Sequence, residues 1–218
     1  MVHRPVVMGL FAHPDDETLA CGATLALLAD RGWDVTVVIV TDGLVTVRPE
    51  ASDNRDDAVD ACRALGVEPP TLLGFPDQRL DTVAVADLVN AARHAVPAPD
   101  LVLTHAAAEL NRDHQIVNHV AKVLARPIDR PIALVECEVP GAAGWNAEAW
   151  MPNWYCDVGA ALERKLKALA CYRGERRVHP HPSSQESVAA LARQRGAESG
   201  LGLAEAFRVL RGHRDALP

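Results

Sequence analysis

Short β-branched apolar runs alternate with alanine- and leucine-rich helical segments along the first 140 residues, and no other feature narrows the possible folds as much. VVMGLF precedes a helical pattern over Asp16–Asp30, VTVVIVT one over Asn54–Leu65, PTLLGF one near Val83–Ala95, and LVLTH one over His114–Ala125, before IALVECEV. Alternation of this kind predicts right-handed βαβ crossovers and a mainly parallel sheet covered on both faces. The strand runs are apolar throughout rather than at every second residue, as in strands buried on both sides. Arg31-Gly32, Leu65-Gly66 and Arg126-Pro127 close the helical patterns with glycine or proline. The expected fold class is α/β: a Rossmann-like, doubly wound, mainly parallel sheet.

The pattern changes after Pro140. GAAGWNAEAWMPNWYC carries three of the four tryptophans, a helix is expected near Val158–Tyr172, and a proline-rich HPHP turn leads to one or two short final helices. A chain of 218 residues needs no second domain. We therefore read 1–140 as the core and 141–218 as a C-terminal helical appendage of the same single domain. A net charge of −7 argues against the basic footprint of nucleic-acid binding and against an anionic membrane surface. The longest early apolar run, Pro5–Ala12, is too short to span a membrane, and no signal-peptide layout precedes it, so a cytoplasmic location is expected. The five cysteines are scattered without a C-x-x-C pair, which points to small core residues rather than to a disulfide framework or a cysteine-zinc cluster.

In open α/β sheets ligands bind beyond the carboxyl ends of the strands. That rim receives His13 to Glu17 after the first strand, Asp77 after the third, His105 and ELNRDH after the fourth, and Glu136 and Glu138 at the fifth. His13, Asp16 and His114 make up two nitrogen ligands and one carboxylate, the donor set of a catalytic zinc that keeps a fourth position for water. Pro14 holds the chain extended after His13, and Asp15 and Asp16, being adjacent, cannot point the same way. If Asp16 ligates the metal, Asp15 is left as a candidate general base. Glu17 suits the positive end of the following helix, while Cys21 and Gly22 are small enough to let that helix pack close to the sheet. Helix capping alone would need one acid and no histidine.

These residues carry a resemblance. AHPDDE after the first strand, with a histidine opening the helix after the fourth, resembles the PIG-L/LmbE-like family of zinc-dependent N-acetylglucosaminyl deacetylases. RDDAVDACRALGV, LGFPDQRLD and THAAAELNRDHQIVNHVAKVLARP are similar to further segments of that family, and the tail is similar to its bacterial and archaeal branch, which includes diacetylchitobiose deacetylase. The resemblance implies Zn2+ on His13, Asp16 and His114, with Asp15 as the base. It also implies Arg55 and Asp77 on substrate hydroxyls, a small N-acetylated amino sugar or sugar-containing metabolite as substrate, and a homo-oligomer, trimeric or hexameric.

One departure stands out. Many family members have H-x-x-H where this chain has Asn111 in N-R-D-H. Asparagine can donate a hydrogen bond to an oxyanion but cannot deliver a proton to the leaving amine. His181 in the HPHP turn is then expected to complete the site, in cis or from a neighbouring subunit. Asp113 either orients His114 or caps its helix. Trp145, Trp150 and Trp154 are read as core or interface anchors in preference to a sugar platform, and His105 as a structural strand-end residue. The loops around Val45–Arg48 and Gly141–Trp154 would select the substrate. A phosphoreceiver reading of Asp15, Asp16, Asp77 and Thr104 fails because the fifth strand ends without a lysine. A metal-binding family member without catalysis, acting as a binding or assembly subunit, is the alternative that Asn111 keeps open.

Overall fold

A seven-stranded sheet organises the molecule, in the order β5-β2-β1-β6-β7-β9-β8. The structure is a computed structural model and describes residues 4–46 and 52–213. Its strands are β1 (Val6–Phe11), β2 (Asp34–Thr41), β5 (Thr71–Phe75), β6 (Leu101–His105), β7 (Ala133–Cys137), β8 (Trp154–Asp157) and β9 (Ala204–Arg211). A separate antiparallel hairpin joins β3 (Leu44–Val45) to β4 (Ser52–Asp53). The helices are α1 (Asp16–Asp30), α2 (Arg55–Leu65), α3 (Val85–Ala95), α4 (Arg112–Leu124), α5 (Ala142–Trp145), α6 (Leu162–Cys171) and α7 (Gln185–Ser199). Among the described residues, no helix is long and apolar enough to cross a membrane.

The five N-terminal strands of the sheet are parallel, as the alternation implied. Their unbroken apolar character has a direct cause. In β1, Val7 and Phe11 enter the core cluster that includes α1, α2 and α6 side chains, while Met8 and Leu10 enter the opposite one with α3 and α4. Every residue of such a strand needs an apolar partner, so no polar alternation survives. From β1 the chain winds outward to β2 and β5, then returns to β6 on the other side of β1. The gap beyond the ends of β1 and β6 is thus the topological switch point where such sheets bind ligands.

The C-terminal part holds the expected helices but also completes the sheet. Trp154–Asp157 and Ala204–Arg211 form β8 and β9, and β9 pairs antiparallel with β7. In place of one or two short final helices there are one long helix, α7, and a strand. β8 is short and half exposed and its pairing partner lies about fifty residues away, so local pattern gave it no signature. The two parts are also joined polar to polar. Helix α1 breaks at Cys21 (φ −148°), and the amides of Ala23 and Thr24 donate to the Glu205 carboxylate on β9, which Lys165 of α6 pairs at 2.6 Å. All five cysteines are unpaired and four of them are buried.

Candidate active site

The turn between β1 and α1 is tight and strained. Asp15 has φ 103°, a left-handed conformation that a residue with a side chain adopts at a cost of order 1–3 kcal/mol, and one that clusters at functional sites. Two contacts hold it: the His13 amide donates to Asp16 Oδ2 at 2.8 Å, and the Asp15 amide donates to Glu17 Oε2 at 3.1 Å. Glu17 is wholly buried and also accepts from the hydroxyls of Thr18 and Tyr172. Its role reaches beyond favouring the helix start, because it clamps the backbone of its acidic neighbour.

Across the switch point, His114 on the first turn of α4 meets this turn. His13 Nδ1 lies 3.1 Å from His114 Nε2 and 3.3 Å from Asp16 Oδ2, and His114 Nε2 lies 3.3 Å from the same oxygen. A tetrahedral zinc with ligands at about 2.0–2.1 Å separates them from each other by roughly 3.3 Å. The three atoms therefore already stand at the spacing of three corners of such a site, and the donor set fits a divalent ion.

The outer nitrogens of both rings face carboxylates. His114 Nδ1 is 3.1 Å from Glu109 Oε2, and His13 Nε2 is 3.3 Å from Asp113 Oδ2. Asp113 also accepts from the Leu80 amide at 3.1 Å. Asp113 thus orients His13, not its own neighbour His114, and the helix is capped instead by Asn111, whose Oδ1 accepts from the Asp113 amide at 2.9 Å. Glu109, the partner of His114, was not singled out from sequence. Its one signal was a carboxylate just ahead of the helix that carries the candidate ligand His114, and nothing local tells where it points. Carboxylates of this kind fix ring orientation, and losing one typically costs about 10–100-fold in metal affinity. Glu109→Gln is expected to weaken zinc binding by about that factor in a competition titration with a chromophoric chelator; an unchanged constant would leave Glu109 without this role.

The electrostatics sort the two adjacent acids. Burial and then the charge of Asp16 push Asp15 well above the usual carboxylate range. Burial acts on Asp16 too, but His114, His105 and His13 outweigh it and hold Asp16 well below that range. Burial opposes charge on His13, yet the bonds to Asp113 and Asp16 raise it to about 9. His114 rises against burial to about 10, mainly through Asp16. His105 differs: burial and the charge of His114 push it well below its ordinary value. Its Nε2 accepts from the Ala12 amide at 2.9 Å, and its ring stacks on His114 with centroids 3.9 Å apart. The neutral ring then carries its proton on Nδ1, which is buried and has no partner among the described residues. His105 is a floor beneath the cluster.

A cavity of about 460 Å³ opens over this floor and is lined by His13, Asp15, Asp16 and His114, together with Asp77, Asn111 and His181. Asn111 commits its oxygen to the helix cap, so its N–H donors are the part left for the cavity. His181 comes from the same chain, and its Nδ1 accepts from the Ser183 amide at 3.1 Å, so the neutral ring carries its proton on Nε2. Asp77 Oδ2 accepts from the amide and hydroxyl of Thr46, both at 2.9 Å, while its Oδ1 lies 3.3 Å from His13 Nε2. Arg55 departs from expectation: its stem packs against Gly43, and its guanidinium is exposed and bound to Asp53, outside the cavity. The tryptophans separate. Trp150 is buried among Ala106, Ala108 and Ala206, Trp154 sits on the edge strand, and Trp145 lines the cavity. Of the two expected selectivity loops, Val47–Arg48 of the first lie outside the described residues.

A family model described as PIG-L, GlcNAc-PI de-N-acetylase, matches residues 8–125. The chain is similar to the probable N-acetyl-alpha-D-glucosaminyl L-malate deacetylase 2 of Bacillus cereus, with 27% identity over 191 residues, 78% of this chain and 83% of that protein. It is 36% identical over 120 residues to a 1D-myo-inositol 2-acetamido-2-deoxy-alpha-D-glucopyranoside deacetylase of a Mycobacterium species, covering 49% of this chain and 38% of that one. In fold it is similar to the N,N'-diacetylchitobiose deacetylase from Pyrococcus horikoshii, with a TM-score of 0.73 at 22% identity over 94% of this chain and 83% of the other.

Proposed function

Because the chain belongs to the PIG-L family, we propose that it is a zinc-dependent amidohydrolase that removes the N-acetyl group from an amino sugar, with His13, Asp16 and His114 holding the metal and Asp15 as general base. The observation that carries this reading is the ligand triangle of 3.1–3.3 Å beside an aspartate held in a left-handed turn, whose proton affinity burial and Asp16 raise. A divalent ion bound there supplies Lewis acidity for the amide carbonyl and makes water easier to deprotonate.

The chain's own groups do the rest. Asp15 takes the proton of the attacking water, its raised affinity for protons being what a base near neutral pH needs. The new C–O bond places negative charge on the former carbonyl oxygen, toward which Asn111 Nδ2 and His181 Nε2 donate. The C–N bond then breaks, and the amine takes the proton held by Asp15, or one from His181 when that ring is in its imidazolium form; Asn111 has none to give. Acetate and the free amino sugar leave. A carboxylate has about four acceptor positions. On Asp77, Thr46 takes two on Oδ2, and His13 and Gln78 face Oδ1, so a substrate hydroxyl would bind there by displacing the long 3.4 Å contact from Gln78. Arg55 is not part of this assignment, since Asp53 occupies its guanidinium.

The test is acetate release from a panel of N-acetylated sugars and glycosides, with zinc and with chelator. The reading expects zinc-dependent release from at least one glucosaminide. Stoichiometric zinc with no release from any of them would favour the non-catalytic alternative.

A further inference from the structure

The cavity is ionic at its floor and apolar at its mouth. Leu44 on β3, Leu110 on the loop before α4 and Trp145 on α5 line it while being 41%, 54% and 61% exposed. These three side chains come from segments far apart in the chain, and large apolar groups gathered around one opening mark a surface that a ligand covers. Trp145 stands edge-on to His181, with ring centroids 5.9 Å apart, which ties the apolar rim to a side chain of the proposed reaction. The volume of about 460 Å³ falls among cavities that take drug-sized ligands. Charge limits what can enter. The carboxylates of Asp15, Asp16, Asp77, Glu109 and Glu175 line the cavity and outnumber its cationic groups, which among the described residues are Arg177, paired with Glu175 at 3.2 Å, and the rings of His13 and His114, whose protons a divalent ion would replace. A phosphate or carboxylate on the substrate would enter against this field.

We propose that Leu44, Leu110 and Trp145 form an aglycone subsite that selects an N-acetyl amino sugar glycosidically linked to an uncharged apolar group, alkyl or aryl, over one linked to an anion or to a second sugar. This rests on the deacetylase reading for the chemistry at the amide and extends it to what the sugar carries. Burial of a few methylenes against these side chains would produce a preference of at least about tenfold.

The experiment compares kcat/KM of the zinc-loaded protein for the methyl and octyl glycosides of N-acetylglucosamine, N,N'-diacetylchitobiose and N-acetylglucosamine 1-phosphate. The octyl glycoside is expected to lead the methyl by about tenfold or more, expressed in KM, with Leu110→Ser and Trp145→Ala each bringing that ratio toward one. Equal values for octyl and methyl glycosides overturn the proposal, as does a lead for the phosphate or for the disaccharide, or a ratio that both variants leave intact. Calorimetric binding of octyl and methyl glucosaminide, below the micellar concentration, separates the two layers. If no amide is hydrolysed but the octyl compound binds about tenfold tighter through Trp145, the subsite stands and the deacetylase reading falls. Equal binding removes the subsite whatever the hydrolysis shows.

Discussion

Asp15→Asn should bind zinc like the parent chain and release acetate about 10²–10⁴-fold more slowly, the range a positioned proton acceptor typically contributes. The amide keeps the size of the side chain, and asparagine tolerates the left-handed backbone at this position, so the fold and the neighbouring Asp16 are preserved. What disappears is the capacity to take a proton. Zinc content, thermal midpoint and turnover measured on the same preparation separate the roles. Unchanged turnover removes Asp15 as base, whereas lost zinc makes it a ligand. In the same assay Asn111→Ala and His181→Ala divide the donation to the oxyanion between them, and a His181→Ala protein at full turnover takes that histidine out of the mechanism.

His114→Ala is expected to lose zinc altogether, a larger effect than the about 10–100-fold assigned to its outer partner Glu109. The parent chain should gain roughly 4 kcal/mol of stability at zinc a thousandfold above its dissociation constant, and the variant none. The pH dependence follows from the histidines. His13 and His114 hold protons up to about 9 and 10 in the metal-free protein, so zinc must displace them at neutral pH. Zinc affinity therefore rises with pH, by about a factor of ten per pH unit for each proton displaced. Both pKa values lie above the unfolded value of about 6.5. The imidazolium contacts thus stabilise the metal-free fold fully below that pH, and the contribution fades as pH climbs through 9 to 10. Scanning fluorimetry from pH 6 to 9 should show a widening gap between zinc-loaded and metal-free midpoints. A constant gap would mean that the two rings are already neutral.

Much of the fold was legible because each parallel strand had to be apolar on both faces, and three of the four helices of the first 140 residues carried a glycine or proline stop. The C-terminal strands β8 and β9 were not, because β9 pairs with β7 and β8 with β9 across long stretches of chain, and each is only partly covered. The site divides in the same way. His13, Asp15 and Asp16 stand within four residues, so proline stiffness and the opposed directions of adjacent side chains suffice to give the two acids different surroundings, as the proposed ligand and base need. The partner carboxylates were not readable: Asp113 is adjacent to His114 yet serves His13, one hundred residues away, while Glu109 turns back to His114.

By itself the sequence determined the layered parallel sheet, the rim on which its polar groups collect and the identity of the metal-capable residues, since these follow from backbone spacing and burial period. Only the tertiary structure decided that the three ligand atoms converge to 3.1–3.3 Å, that Glu109 stands behind His114, that Arg55 turns to Asp53, and that His181 lines the cavity of its own chain. Spacing along the chain specifies neighbours in the backbone. Which side chains meet across a hundred residues is set by how the packed sheet and helices bring their ends together.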